Sequence, residues 1–236
     1  MRQPSPHPGA LMDQPLSLAL RTETASAHDD AEGSAFVEQL MAGLACRPAF
    51  VALVAQQLVI YRALEEVLWT HYSDHPFVAP VLDHRLDRVA ALEQDMAHLC
   101  GDDVDGRLAA GDIHIVPAAA DYAAQLREQH TPESMLAHHY VRYLGDLSGG
   151  QIIARMVQRH YGIDPAGLNF YHFEQIPKPK PYKDAYRAAL DSLELDETAR
   201  RRVLDAAVDS FELNRRVFAD LGAARAPEHA ASGGPA

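Results

Sequence analysis

SMLAHHYVRYLGDLSGGQIIARMVQRHY, residues 134–161, decides how the chain is read. Apolar residues recur at spacings of three and four on both sides of its centre, the period of an α-helix buried along one face. Thr131-Pro132-Glu133 just ahead is a strong helix start: a capping hydroxyl, a proline at the first helical position, and an acid near the positive end of the dipole. Yet the centre carries Gly145, Gly149 and Gly150. Each glycine inside a helix costs roughly 0.5–1 kcal/mol relative to alanine, so three cost ~2–3 kcal/mol of a stability of about 5–15. Two arrangements offset that cost. A second helix can pack closely over the glycines, or a flat ligand can press on main chain that has no Cβ in the way. Helical spacing puts Asp146 on or near one stripe with Tyr143, Gly149 and Gly150. With a ligand, that carboxylate lies in a polar, watered pocket; with a packed helix, it points to solvent.

The same period extends outward. In 48–72 it is carried by Leu53, Val54, Leu58, Tyr61, Leu64 and Leu68, and in 83–99 by Leu86, Val89, Ala90, Leu92, Met96 and Leu99. Asp196 is a natural cap for a helix running through Val203, Ala206, Ala207, Val208, Phe211, Leu213, Val217, Phe218 and Leu221. No alternating run enriched in β-branched residues suggests a sheet. The spacing predicts an all-α fold with one domain over 15–222 and loops at about 101–116 and 162–180. The Ala/Gly/Pro-rich stretches 1–14 and 223–236 read as disordered tails.

Composition narrows the function. A chain of 236 residues, 47% hydrophobic and 23% charged, suits one core of ordinary globular make-up. A net charge of −12 argues against nucleic acid and anionic membranes as partners. Cys46 and Cys100 form no metal-binding spacing, and a reducing compartment is the simplest setting. With no signal-peptide pattern and no apolar stretch near the ~20 residues of a membrane span, the expected location is cytoplasmic.

A second chemical feature lies in LSLALRTETASAHDDAE, residues 16–32, a short helical pattern opened by Ser17. Arg21, Thr24, His28 and Glu32 share one face. Glu32, one turn past His28, can accept a hydrogen bond from one imidazole nitrogen, leaving the other for a metal and raising its basicity. Arg21 lies about 10 Å back along the axis, in reach of an anionic group on a ligand centred at His28. With 13 histidines in the chain, an ordinary surface or core role is the competing interpretation. A third feature is the run KPKPYK. Every lysine of the chain lies there, as Lys178, Lys180 and Lys183, with Arg187 one turn later. This local positive patch at a helix start can bind carboxylates or phosphate, receive an acidic redox partner, or simply be a solvated loop.

RYLGDLSGGQ at 142–151 resembles the distal-helix signature of the haem oxygenases, and the likeness extends over AHHYVRYLGDLSGGQIIARM. LRTETASAHDDAE at 20–32 resembles their proximal helix. GLNFYHFEQI at 167–176 with YKDAYRAALDSLEL at 182–195, and AVDSFELNRRVFADL at 207–221, resemble the later blocks in order and spacing. The resemblance covers about 15–222. It implies a haem oxygenase-like helical bundle with haem between a proximal and a kinked distal helix. His28 then matches the proximal iron ligand and Glu32 the acid behind it. Asp146 matches the distal carboxylate that acts through ordered water, and Arg142 joins its polar network. Gly145 and Gly149 match backbone positions that touch haem and O2, and Gly150 completes the bend. Arg21, Tyr140, Lys183 and Arg187 match positions near the haem propionates. Phe211 and Asn214 match pocket residues, with Phe218 close by. Ala25 departs from members that carry a second basic residue there, and the membrane anchor that some members carry after the last helix is lacking.

The implied activity is oxidative cleavage of haem, which is both cofactor and substrate, to biliverdin, CO and Fe2+. It uses O2 and electrons from a reductase or ferredoxin, and the expected opening is at the α-meso carbon. Two other readings belong to different classes. A non-catalytic haem-binding or carrier protein would need His28 but not Asp146 with its glycines. A thiaminase-like hydrolase of the same helical architecture would need an activated cysteine, and neither Cys46 nor Cys100 lies in such a motif.

Overall fold

The helix over residues 47–71 is buried on nearly every side, because its sequence is apolar over most of its surface, a pattern that belongs inside a bundle. The computed structural model describes residues 14–232, with side chains as far as Ala224. The expected N-terminal tail falls, but for Gln14, outside the described residues. The elements are α1 (Leu16–Glu23), α2 (Ala25–Glu32), α3 (Ala35–Met41), α4 (Arg47–His71), α5 (Val89–Cys100), α6 (Val104–Ala110), α7 (Pro117–Glu128), α8 (Pro132–Tyr161), α9 (Pro179–Asp191) and α10 (Glu197–Ser232). Short 3-10 turns lie at Ala79–Val81, His84–Leu86, Pro165–Gly167 and Asn169–Tyr171. Among the described residues there is no strand. The fold is all-α, as the spacing predicts. The boundary expected at residue 222 falls inside α10, which runs on to Ser232.

α4 buries Phe50, Leu53, Val54, Leu58, Ile60, Tyr61, Leu64, Val67 and Leu68, and packs against α5 and α7 with α8 and α10 across it. α8 is one unbroken helix of 30 residues, about 45 Å at 1.5 Å per residue. Its start is as read: Thr131 Oγ1 accepts from the Ser134 N–H at 3.2 Å, and Ser134 Oγ accepts from the Thr131 N–H at 2.9 Å. Gly162 ends it in the left-handed conformation with φ +63°. Asp196 caps α10 by accepting from the Ala199 N–H at 2.7 Å.

Three local readings are corrected. The 16–32 pattern is two short helices. Buried Thr24 turns its hydroxyl back to the Leu20 carbonyl at 2.8 Å and interrupts the helix there. Ser17 does not open α1; it is the second helical residue, and its N–H and Oγ donate to Asp191 at 2.8 and 3.0 Å, tying α1 to the end of α9. The loop expected at 101–116 contains α6. Asp103, at φ 62°, caps it through the Gly106 N–H at 3.2 Å, and Gly111 closes it. In seven residues α6 buries none fully, so it shows no apolar period.

Among the described residues no helix is long and apolar enough to cross a membrane. The α8 cap gives the first prediction. Thr131→Ala removes one acceptor and breaks the reciprocal pair, so urea unfolding should show a loss of about 1 kcal/mol.

Candidate functional site

α10 joins the two sequence features that stand far apart in the chain. It packs on both α2 and α8. Phe211 meets the His28 ring edge-on, with centroids 5.7 Å apart, and Asn214, one turn later, accepts from Arg142. Phe218, two turns beyond Phe211, stacks instead on Phe36 at 6.3 Å.

On α2, half of the His28 side chain is open to solvent. Nε2 lies 3.4 Å from Glu32 Oε1, the neighbour its spacing predicts, and Nδ1 lies 3.5 Å from Asp29 Oδ1, which the sequence reading passed over. Either ring nitrogen can therefore donate to a carboxylate while the other is used elsewhere. Ala25, on the same short helix, is exposed.

On α8 the three glycines divide. A Cβ placed at Gly145 or Gly149 would meet nothing within 4 Å. At Gly150 it would stand 3.1 Å from Cδ1 of Tyr171. Gly145 and Gly149 leave bare backbone beside open space, whereas Gly150 is buried under an aromatic ring, away from that space. Both arrangements that offset helical glycine are present, at different positions, and the helix continues through them.

Asp146 lies between. The residue keeps a partly exposed edge, but its carboxyl is enclosed by protein. Tyr61 donates its hydroxyl to Oδ2. Arg142 is buried, lies 4.7 Å over the Tyr61 ring, and donates to Asn214 on α10 and Gln57 on α4. Its Nε is buried with no partner among the described residues. Burial pushes the Asp146 carboxyl up to about 6, against the opposing pull of Arg142, the Tyr61 hydroxyl and Arg88. Behind Tyr61, Tyr143 donates to Glu65 at 3.1 Å, and Glu65 also accepts from the backbone of Arg88 at 2.5 Å. Burial raises Glu65 to about 7.

Gln57, Tyr61 and Glu65 were missed in the sequence. Their signal is a polar strip at i, i+4 and i+8 along a largely apolar helix, on the face of α4 from which Tyr61 meets Asp146.

The expected basic residues meet at one edge. Burial raises the Tyr140 hydroxyl while the charges of Arg187 on α9 and Arg21 on α1 both pull it down. Lys183 donates to Ser148 on α8 at 3.0 Å, and Arg187 donates to Asp184 at 3.1 Å. Lys180 also pairs with Asp184, at 3.0 Å, and Lys178 is exposed. Arg21 makes no ion pair among the described residues. The whole offers an imidazole, bare backbone and a cationic edge to a flat ligand carrying anionic groups. Burial raises the Cys100 thiol, which disfavours its thiolate form.

The profile of the family described as "Heme oxygenase" matches residues 14–220. Heme oxygenase 1 of Nostoc is 35% identical over 213 residues, 89% of this chain and 87% of that protein. Human heme oxygenase 1 is 35% identical over 226 residues, 94% of this chain and 75% of the relative. Among solved structures, heme oxygenase-1 from Synechocystis in complex with heme superposes with a TM-score of 0.85 at 30% identity, covering 92% of this chain and 97% of that one.

The division of the glycines is testable without ligand. Gly145→Ala and Gly149→Ala should each raise stability by about 0.5–1 kcal/mol in urea, because alanine favours the helix and its methyl meets nothing. Gly150→Ala should give no gain or a loss, since the buried Tyr171 ring must yield to the methyl.

Proposed function

Because the chain belongs to the haem oxygenase family and cleaves haem, we propose that His28 ligates the haem iron while Asp146 and Arg142 manage water and protons on the opposite, glycine-lined side. The observation that carries this is the enclosed Tyr61–Asp146–Arg142 group beside two glycines whose backbone faces open space.

Haem fits the residues present. The missing Cβ atoms of Gly145 and Gly149 leave room for a flat macrocycle against α8. Arg21, Lys183 and Arg187 converge at one edge, where with the Tyr140 hydroxyl they would hold the propionates and fix the rotation of the ring. Phe211 steadies the imidazole from α10. Whichever His28 nitrogen meets the iron, the other finds Glu32 or Asp29 as acceptor, which fixes the orientation of the ring. Gly150 supports this face from behind, through Tyr171.

Bound haem supplies the iron at which O2 and electrons are brought together, and its ring is the group oxidised, to biliverdin with release of CO and Fe2+. The protein's part is positioning and proton supply. The Gly145–Gly149 backbone limits where O2 can lie. Asp146 at about 6 is close enough to neutrality both to take and to give a proton. Arg142 and Asn214 keep the carboxyl's surroundings polar, and the unpartnered Nε of Arg142 is a donor for a bound water. Electrons come from a reductase or ferredoxin, which the patch of Lys178, Lys180, Lys183 and Arg187 would receive through its acidic surface. Two free cysteines suit a reducing, cytoplasmic setting.

Hemin titration should give a Soret band saturating at one haem per chain. Reductant under O2 should convert it to biliverdin with CO. A haem complex that never converts, even with a strong chemical reductant, would mean a carrier. His28→Ala should lose the imidazole-ligated spectrum, and an unchanged spectrum would assign the iron to another histidine. Asp146→Ala should keep haem affinity but lose ring opening and shift toward peroxidase-like reactions. A normal biliverdin yield would remove Asp146 from proton delivery. In the unaltered protein the carboxylate form is present above about pH 6, so turnover should fall as pH drops through that value.

A further inference from the structure

The segment after α8 is clamped from both sides. Asp95 accepts from the backbone N–H groups of Asn169 at 2.7 Å and Phe170 at 2.8 Å. Arg88 donates to the carbonyls of Phe170 at 3.3 Å and His172 at 3.0 Å, and its guanidinium lies 3.8 Å over the Phe173 ring. Tyr171, held between these anchors, rests on Gly150 with only 5% of its surface exposed. Its hydroxyl has no hydrogen-bond partner among the described residues. The oxygen is not among the fully buried polar atoms that lack a partner, so it borders space that water can reach.

A cavity of about 230 Å³ lies beside it. Half-buried Asp146 and buried Tyr171 line it together with the exposed residues Gln151, His172 and Glu174. Liquid water takes about 30 Å³ per molecule and needs two to four polar neighbours, so this space suits several waters. Asp146 has a free acceptor for them: Tyr61 occupies Oδ2, and Oδ1 has no partner among the described residues. At about 100° per residue, Leu147 and Gln151, which line the cavity, lie roughly across α8 from Gly145 and Gly149, with Asp146 at the side between. Asp146 therefore borders the cavity from a position next to the glycine side of α8. Tyr171 and Asp146 also feel each other: after burial, Asp146 is the group that most raises the Tyr171 hydroxyl.

We propose that this cavity is a water inlet from solvent to Asp146, and that the Tyr171 hydroxyl positions the water that meets Asp146. The inference rests on the reading of Asp146 as the proton-handling group. When Asp146 releases its proton on the glycine side, a proton handed along the cavity waters from bulk solvent restores it, and no net charge remains in the chain of waters. Tyr171 is a positioning residue; the water carries the proton.

Tyr171→Phe in the full chain keeps the ring on Gly150 and removes one oxygen. In ligand-free protein the Asp146 carboxyl band can be followed by infrared titration, with Asp146→Asn as the blank. Its midpoint should rise by roughly half a pH unit or more in Tyr171→Phe, because the carboxylate loses a water-borne hydrogen bond. An unchanged midpoint overturns the proposal. In haem-loaded protein the acid limb of biliverdin formation should move by the same amount with haem affinity unchanged, which lost packing alone would not produce. Gln151→Phe, which leaves Tyr171 in place, narrows the cavity and should slow hydrogen–deuterium exchange of the same carboxyl roughly threefold or more. Unslowed exchange overturns the inlet. Should Asp146→Ala make biliverdin normally, the reading of Asp146 in catalysis fails, and the two infrared comparisons still decide the cavity.

Discussion

The constraint on which the site depends is the enclosure of one carboxyl, Asp146, by groups from three helices. α8 supplies the acid and Arg142, α4 supplies Tyr61 and Gln57, and α10 supplies Asn214. Raising a carboxyl from 3.8 to about 6 is unfavourable by roughly 3 kcal/mol at neutral pH. The sign follows from linkage. Any stabilisation from the protonated form is full below the unfolded value and is lost as pH rises through about 6. The molecule carries this carboxyl at a loss of stability at neutral pH. With two helical glycines that face open space, the region around Asp146 is suboptimal for folding in two independent ways, both of which suit a proton-exchanging group beside a flat ligand.

Burial of the surrounding core offsets that loss. α4 meets Asp146 through the Tyr61 hydroxyl, and its polar strip of Gln57, Tyr61 and Glu65 is flanked by the buried Leu58, Leu64 and Leu68 of the same helix. The strip is graded. Glu65, at about 7, lies behind Tyr143 and Tyr61, and Asp146, at about 6, lies in front. Tyrosine hydroxyls separate the two acids, so one carboxyl can ionise without placing its charge directly against the other.

Most of the fold was legible in the sequence because α8, α4 and α10 are long runs of helical apolar spacing, and α8 and α10 are capped by residues whose chemistry is local. Thr131 and Asp196 do what their types predict. α6 was illegible because a seven-residue helix that buries nothing has no period to detect. For the site, spacing singled out His28, Asp146 and the glycines, and the family resemblance supplied their expected roles. What remained hidden is what depends on distant chain. Which glycines face open space and which carries Tyr171 is decided by a segment twenty residues later, since Gly149 and Gly150 are alike in sequence terms. Asp29 escaped notice because a neighbour at i+1 shares no helical face with His28, yet on a two-turn helix it reaches the ring. Tyr61 read as an ordinary apolar position because its ring is one; only the hydroxyl at its tip belongs to the site.

The buried Arg88 and Asp95 show how far the supporting structure extends. Neither touches the space beside Gly145. Arg88 satisfies carbonyls that a turn of 3-10 helix leaves unpaired, and Asp95 satisfies the N–H groups at its start. Two charged side chains are thus spent on three residues of irregular backbone, a heavy use of buried charge for a connection that only needs to return the chain to α9. A loop closed by apolar contacts would serve that purpose. The rigidity matters if the position of Tyr171 matters, because its ring rests against α8 at Gly150 and the residue lines the cavity that Asp146 also lines. The same clamp that makes Gly150 intolerant of a methyl group is what holds the phenol beside Asp146.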